Sequence, residues 1–168
     1  MNEIKEIIKS IAGFLASKTK RRTLFIVILF LAAITEFFVL GLARRTFVFY
    51  NNISGSIVVE DRMLKRSRHR ETNIIRYTEE ALLGPVAPDF LPLFPRETRL
   101  RSLLYRDNVV YADFSADAVL PPIEGGETLK NFRILHAGIL RNFSYVKDVR
   151  FFIEGQAVFA EEFLNNDL

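Results

Sequence analysis

The residues that could carry catalysis are few in this chain, and their spacing matches no recognised catalytic arrangement. His69 begins an H-x-E spacing like that of zinc deaminases, but such a site also needs cysteine ligands and the chain has no cysteine. His136 lies at the edge of an apolar helical stripe, which predicts a packed side chain rather than a ligand. Asp113 and Asp117 resemble a carboxylate pair, but strand alternation places Asp113 on a solvated face and Asp117 in the following turn. We predict no catalytic residue, no metal and no cofactor.

A cluster of cations is the feature that could bind a partner. Its five members lie within nine residues, and we call them the basic cluster: Arg62, Lys65, Arg66, Arg68 and Arg70. Two interpretations stay open, a flexible solvated loop or an electrostatic contact with lipid headgroups, acidic envelope polymer or an acidic protein face. In either case the cluster is expected to lie in an exposed loop, so reversing its charges should leave the fold intact.

The overall charge balance argues against nucleic-acid binding. Residues 1–45 hold 8 Lys and Arg against 3 Asp and Glu, whereas residues 46–168 hold 15 against 17. The excess of cations therefore belongs to the N-terminal part, and the remainder of the chain lacks the basic face that nucleic acids require.

Residues 23–42 form an apolar run that predicts a transmembrane helix. Twenty helical residues span about 30 Å, the thickness of the hydrocarbon core of a bilayer. A cleaved signal peptide is the alternative, but the run is longer than a usual signal core, contains Glu36 and is followed by no cleavage motif. Glu36 either is protonated or snorkels towards the interface, or it contacts another transmembrane helix. We predict a retained signal anchor.

The basic residues around the run predict its orientation. Six Lys and Arg precede it and three follow within twenty residues, so the N-terminus is expected in the cytoplasm and the C-terminal domain outside the cell membrane. Residues 1–22 form a cytoplasmic, amphipathic and basic segment, predicted to lie in the membrane interface or on a partner helix.

Residues 46–163 predict one two-layer α+β domain, with a mixed sheet and two helices on one face. The expected order after the anchor is ββαββαββ. The predicted strands are 46–50, 56–60, 100–106, 109–114, 149–153 and 157–159, and the predicted helices are 72–83 and 127–143. Gly84 is expected to end the first helix in the left-handed conformation, because Pro85 cannot continue it.

Taken in order, these features resemble the GerMN domain, which is found in the spore-germination protein GerM and related envelope proteins. The resemblance covers roughly residues 46–160. It rests on the first strand ending TFVFYN, the stop Leu82-Leu83-Gly84-Pro85, VVYADFS at 109–115, and FSYVKDVRFFIEG, which ends at Gly155. The family implies an extracytoplasmic α+β domain on a lipid or helical tether, without established catalytic residues. This chain departs from GerM in lacking a lipid-bearing cysteine and a second copy of the domain.

These observations together predict a single-pass membrane protein whose outer domain is a non-catalytic scaffold or docking module of the bacterial cell envelope, in sporulation, germination or envelope assembly. The resemblance implies protein partners, and the basic cluster favours an anionic one. The alternatives are an enzyme that acts on the cell wall, such as a hydrolase, and an envelope sensor of a small ligand. A deep polar cleft would favour either alternative.

Overall fold

The computed structural model describes residues 18–121 and 127–159, without the side chains of residues 36–40. The chain divides into two units that meet between Leu42 and Ala43. The first unit contributes helix α1, Lys18–Leu40. The prediction for residues 1–17 and the end of the predicted domain, 160–163, lie outside the described residues.

Helix α1 contains most of the apolar run that the sequence predicts to span the membrane. It begins five residues earlier than predicted and ends two residues earlier. Among the described side chains, which in α1 reach as far as Thr35, no helix combines the length and the apolar character that crossing a membrane requires. The transmembrane anchor therefore stays a prediction.

The second unit begins with a three-stranded sheet in the order β2-β1-β3. Its strands are β1 (Leu42–Asn51), β2 (Ile57–Lys65) and β3 (Phe90–Leu91). Strand β3 is antiparallel to the end of β1, with Tyr50 opposite Leu91. The sequence did not predict β3, because two residues in a proline-rich connection are too few for alternation to show.

A separate four-stranded sheet has the order β4-β5-β6-β7. Its strands are β4 (Leu100–Arg106), β5 (Val109–Phe114), β6 (Asp148–Ile153) and β7 (Gln156–Val158). Strands β5 and β6 are parallel, and the other neighbours are antiparallel. In both two-residue turns, Asp107-Asn108 and Glu154-Gly155, each residue has a positive φ, as in the type I′ turns that join hairpins.

The α+β class is thus confirmed, but the prediction of one mixed sheet is wrong. The strands form two sheets, and the order along the chain is αββαβββαββ rather than an anchor followed by ββαββαββ. The sequence shows which segments are strands, because side-chain alternation is local. It does not show which strands pair, because pairing depends on contacts between distant segments.

Two helices cover the inner faces of the sheets, α2 (Arg70–Leu83) and α3 (Thr128–Asn142). Helix α2 packs on β4 and α3, and α3 packs on β6. The ring of Tyr77 on α2 stacks on Phe47 at 4.6 Å and meets the edge of Phe143 at 5.6 Å. On α3, Phe132 lies 4.9 Å from Phe151 of the four-stranded sheet. Both sheets and both helices therefore share one aromatic core.

Candidate functional site

The structure separates Arg62 from the rest of the basic cluster. Strand β2 continues to Lys65, five residues beyond the predicted end, so Arg62 lies in a strand and not in a loop. Side chains along β2 alternate throughout, with Val58, Glu60, Arg62 and Leu64 turned inward. Glu60 and Arg62 are charged although both point inward, so hydrophobic alternation did not predict that the strand continues to Lys65. The expectation of one exposed five-residue loop is wrong for Arg62.

The Arg62 side chain joins β2 to the end of α2. It is only 12% exposed, and its Nε donates to the Glu60 carboxylate at 2.6 Å. One terminal nitrogen reaches the Glu80 carboxylate at 3.1 Å, and the other donates to the Gly84 carbonyl at 2.6 Å. The guanidinium also lies 4.8 Å from the centre of the Phe47 ring. All of its bonds are intramolecular, so Arg62 has a structural role.

The other four cations, Lys65, Arg66, Arg68 and Arg70, are exposed at the junction between β2 and α2. The junction is ordered by Asn73 on the first turn of α2. The Asn73 oxygen accepts from the Ser67 amide at 2.6 Å, and its nitrogen donates to the carbonyls of Ser67 and His69. Lys65 ends β2, Arg70 begins α2, and Arg66 and Arg68 lie on the short loop between them, whose backbone is bound by Asn73.

Arg45 on β1 and Tyr145 after α3 complete this surface. The Arg70 guanidinium lies 4.8 Å above the Tyr145 ring, and the Tyr145 hydroxyl donates to the Arg70 carbonyl at 3.3 Å. The Arg45 guanidinium lies 4.3 Å above the Phe143 ring and donates to the Asn142 carbonyl. We call Arg45, Lys65, Arg66, Arg68 and Arg70, together with Tyr145, the basic surface.

The electrostatics of the basic surface reflect burial and like charge. Burial is the main cause that lowers the pKa of Arg45, and the nearby positive charge of Arg66 lowers it further. Burial raises the pKa of Tyr145, while the positive charges of Arg45, Arg70 and Arg66 oppose that shift. Three guanidinium groups therefore act on one phenol, although Arg45 and Tyr145 are far apart in the sequence.

These cations have no acidic partner in the described part of the chain. Within residues 18–121 and 127–159, none of the five cations of the basic surface forms an ion pair with a carboxylate. Some other exposed arginines do, since Arg44 pairs with Asp61, and Arg101 pairs with Asp113 and Glu154. The basic surface therefore gathers five cations that form no ion pair with a carboxylate of the described residues.

The structural motif predicted around Gly84 lies where α2 ends. Leu82 is buried, Leu83 is exposed, and Gly84 adopts φ 84° and ψ −175°. The positive φ agrees with the prediction, but the ψ value is extended rather than left-handed helical, a combination that only glycine adopts readily. Pro85 follows in the connection, and Gly155 occupies the tight turn between β6 and β7 with φ 78°.

The candidate catalytic residues do not come together. Asp113 accepts the Gly155 amide at 2.9 Å and lies 3.5 Å from Arg101, whereas Asp117 accepts the Ser115 hydroxyl at 3.2 Å. His136 packs between α3 and β6, where burial lowers its pKa against the opposing effect of Asp148. Among the described residues, no group of three or more His, Asp and Glu could hold a metal.

Two open depressions lie elsewhere on the domain. The larger, about 670 Å³, is next to the C-terminal end of α2 and includes Leu83, Arg96 and Arg99. The smaller, about 280 Å³, lies on the outer face of the four-stranded sheet between Leu104, Tyr111 and Phe152. Both are open to solvent, and neither is the deep polar cleft that would favour an enzyme or a sensor.

Sequence reasoning missed Arg45, Tyr145 and Asn142. The Asn142 amide donates to the carbonyls of Thr46 and Gly138 at 2.8 and 2.9 Å and accepts the Thr46 amide at 3.0 Å, which fixes the end of α3 to β1. The sequence does contain Asn142-Phe143-Ser144, a glycosylation tripeptide, but the bonds of Asn142 are structural. No local pattern could have shown that Arg45 and Tyr145 are neighbours.

Residues 47–159, about two thirds of the chain, match the family Germane, described as "Sporulation and spore germination". The chain belongs to this family. The resemblance to GerMN domains is therefore confirmed, with a single copy in the matched region. No curated protein sequence matches the chain.

Solved structures share the fold of the Germane domain. The tandem GerMN domains of the sporulation protein GerM from Bacillus subtilis superpose with a TM-score of 0.56 at 18% identity, covering 70% of this chain and 41% of that one. The first GerMN domain of the same protein gives a TM-score of 0.54 at 19% identity, covering 69% and 86%. At these identities the likeness establishes the fold of the domain.

Proposed function

We propose that this protein is a membrane-anchored Germane-domain docking module of the bacterial cell envelope, without catalytic activity. Its N-terminus is cytoplasmic, and its domain lies outside the cell membrane and binds an anionic face of an envelope component. The observation that carries the proposal is the basic surface: four exposed cations at the junction of β2 and α2, joined by Arg45, without acidic partners in the described structure. The fold shared with a sporulation protein supports a role in sporulation-type or envelope assemblies.

The surface of α1 supports the anchor. Large apolar side chains are exposed on every side of the helix: Phe25, Ile26, Val27, Ile28, Leu29, Phe30, Leu31 and Ile34. A helix that is apolar all round is stable when lipid or protein covers it. Because cations flank the run on both sides and are more numerous before it, we propose a single-pass helix with the N-terminus inside.

Charge reversal tests the docking proposal. The variant carries Lys65→Glu, Arg66→Glu and Arg68→Glu in the full-length chain, and leaves Arg45 and Arg70 in place because both contact aromatic rings. Partners captured by cross-linking in cells and identified by mass spectrometry should be lost from the variant. In the wild type, their association should weaken as ionic strength rises, because exposed charges are screened.

The matched control makes the same charge change elsewhere, with Arg96→Glu, Arg99→Glu and Arg133→Glu. These three arginines are exposed, and none forms an ion pair with a carboxylate in the described part of the chain. Arg96 and Arg99 lie beside the C-terminal end of α2, whereas the basic surface lies at its N-terminal end. The control should keep its partners. Equal losses in both variants, or no loss in either, would contradict docking through the basic surface.

A further inference from the structure

Among the strands of residues 18–121 and 127–159, β2 has one edge that pairs with no other strand, and exposed apolar side chains lie beside it. It is the outermost strand of its sheet, and nine residues make it long for an edge strand. On its outer face Ile57, Val59 and Met63 are 61%, 54% and 53% exposed. On the inward side of β2, Val86 is 79% exposed, and its amide donates to the Glu60 carboxylate at 3.1 Å. Exposed apolar side chains therefore lie on the outer face of β2 and, with Val86, beside its inward face.

The backbone groups at this edge point outward in a regular pattern. The Ser56 carbonyl accepts from Asn51 of β1, so residues of even number in β2 direct their amides and carbonyls towards β1. Unbroken alternation of burial along β2 indicates that no bulge interrupts this pattern. Val59, Asp61 and Met63 then direct their backbone groups to the free edge. The Lys65 carbonyl, at the strand end, is already bound by Arg76 at 2.8 Å.

The sequence of β2 is complementary to itself in one antiparallel register. With Asp61 opposite Asp61, Val59 faces Met63 and Glu60 faces Arg62 of a second copy, and Val58 faces Leu64. In a register centred on Glu60, the two Glu60 side chains face each other on the inward side, and Asp61 faces the apolar Val59. In a register centred on Arg62, the two Arg62 side chains face each other, and Asp61 faces the apolar Met63. In the favoured register, Arg44 of each copy already pairs with its own Asp61, which limits repulsion at the centre.

We propose that β2 is a homodimerisation edge, at which two copies of this chain pair antiparallel about Asp61. The contact adds a strand from each copy to the sheet of the other, with backbone bonds for affinity and alternate side chains for register. It has the two-fold symmetry of most homodimers. The proposal goes beyond the docking function and does not depend on what the basic surface binds.

Cysteine cross-linking tests the register directly, because the wild type contains no cysteine. In full-length chains in membranes, Asp61→Cys should form a covalent dimer under mild oxidation or with a short bis-maleimide, because facing residues are about 5.5 Å apart. Val59→Cys alone should cross-link poorly, because its own counterpart lies about 13 Å away along the strand. Val59→Cys in one tagged copy should cross-link with Met63→Cys in another. Leu104 lies on the other sheet and is 52% exposed, so cross-linking of Leu104→Cys measures the background from random collision.

A charge swap gives a second, independent measurement. Val59→Lys with Met63→Lys places lysines opposite each other twice and should weaken dimerisation about tenfold. Val59→Lys with Met63→Glu places Lys opposite Glu in the same register and should restore the dimer. Both variants change exposed side chains, so their melting temperatures should match the wild type.

Three results would overturn the proposal. Equal cross-linking at Asp61→Cys and Leu104→Cys would mean that dimers form by collision. Self-cross-linking of Val59→Cys faster than its reaction with Met63→Cys would exclude the register. Capture of a different protein by Asp61→Cys in place of the covalent dimer would mean that the edge pairs with another chain.

Discussion

Arg62 shows how one residue can belong to a charged cluster in sequence and to a network that joins a strand to a helix in three dimensions. Its guanidinium donates to two carboxylates and two carbonyls while lying against two phenylalanine rings. Arginine suits this position because its planar fork can serve several acceptors at once, which a lysine ammonium cannot do.

Replacing Arg62 should therefore destabilise the domain. Arg62→Gln leaves Glu60 and Glu80 without their cation, and we expect a loss of about 3 kcal/mol in the free energy of unfolding. Arg62→Lys should recover only part of this loss. Urea unfolding followed by circular dichroism gives the measurement, with Arg66→Gln as the exposed control, expected within about 0.5 kcal/mol of the wild type. A wild-type midpoint for Arg62→Gln would show that the network contributes nothing.

Gly84 is required both by its backbone conformation and by its surroundings. A Cβ at this position would lie 3.1 Å from the Cβ of Pro92, in addition to the cost of φ 84°. Gly84→Ala should lower the free energy of unfolding by about 2 kcal/mol.

Gly155→Ala is the matched control for Gly84→Ala. Its φ is 78°, but a Cβ there would meet no atom within 4 Å, so it reports the backbone strain alone. The comparison uses thermal and urea unfolding of both variants. If Gly155→Ala is as harmful as Gly84→Ala, the contact with Pro92 plays no part.

At the scale of the elements, the distance between α2 and α3 is limited by one glycine. A Cβ added to Gly138 on α3 would lie 2.4 Å from the hydroxyl oxygen of Tyr77 on α2. That hydroxyl donates to the Thr46 carbonyl at 3.1 Å, so it cannot move away without losing a bond between α2 and β1. Helix α2, helix α3 and strand β1 are therefore positioned together.

A double-mutant cycle tests this coupling. Gly138→Ala should cost about 2 kcal/mol in the wild type, because the helices must separate or the hydroxyl must move. In the Tyr77→Phe background the obstructing oxygen is absent, and Gly138→Ala should cost much less. Equal costs in both backgrounds, measured by urea unfolding, would show that the Tyr77 hydroxyl does not limit the approach of the helices.

At the scale of the whole molecule, the two proposed contacts come from one continuous stretch of chain. Residues 59–63 of β2 form the proposed dimer edge, and residues 65–70 supply most of the basic surface. A dimer would carry two basic surfaces, so weak contacts with a multivalent anionic partner would reinforce each other through effective concentration. Dimerisation and docking can thus be tested separately and then together.

The proposed topology predicts the behaviour of reporter fusions. A reporter active only outside the cytoplasm should be active when fused after Leu168 and silent when fused after Lys18 of a truncated chain, because the six-to-three excess of cations retains the N-terminus inside. The full-length chain should stay in the membrane pellet after a salt wash. Release of a shorter soluble form would indicate a cleaved signal peptide, and the reverse reporter pattern would contradict the orientation.

The sequence by itself determined the features that depend on neighbouring residues. The hairpin Leu100–Arg106 and Val109–Phe114 has the predicted bounds, α2 ends at Gly84, and the order of motifs indicated the family. Alternation, helical periodicity and turn chemistry act over a few residues, so they are visible in the sequence.

Only the tertiary structure decided which segments meet. It divided the strands into two sheets, placed Arg62 against Glu60 and Glu80, and brought Arg45 and Arg70 to Tyr145. A charged residue has the same appearance in the sequence whether its partner is water or a distant carboxylate. Its role is set by contacts between segments that are far apart in the chain, and those contacts exist only once the core has formed.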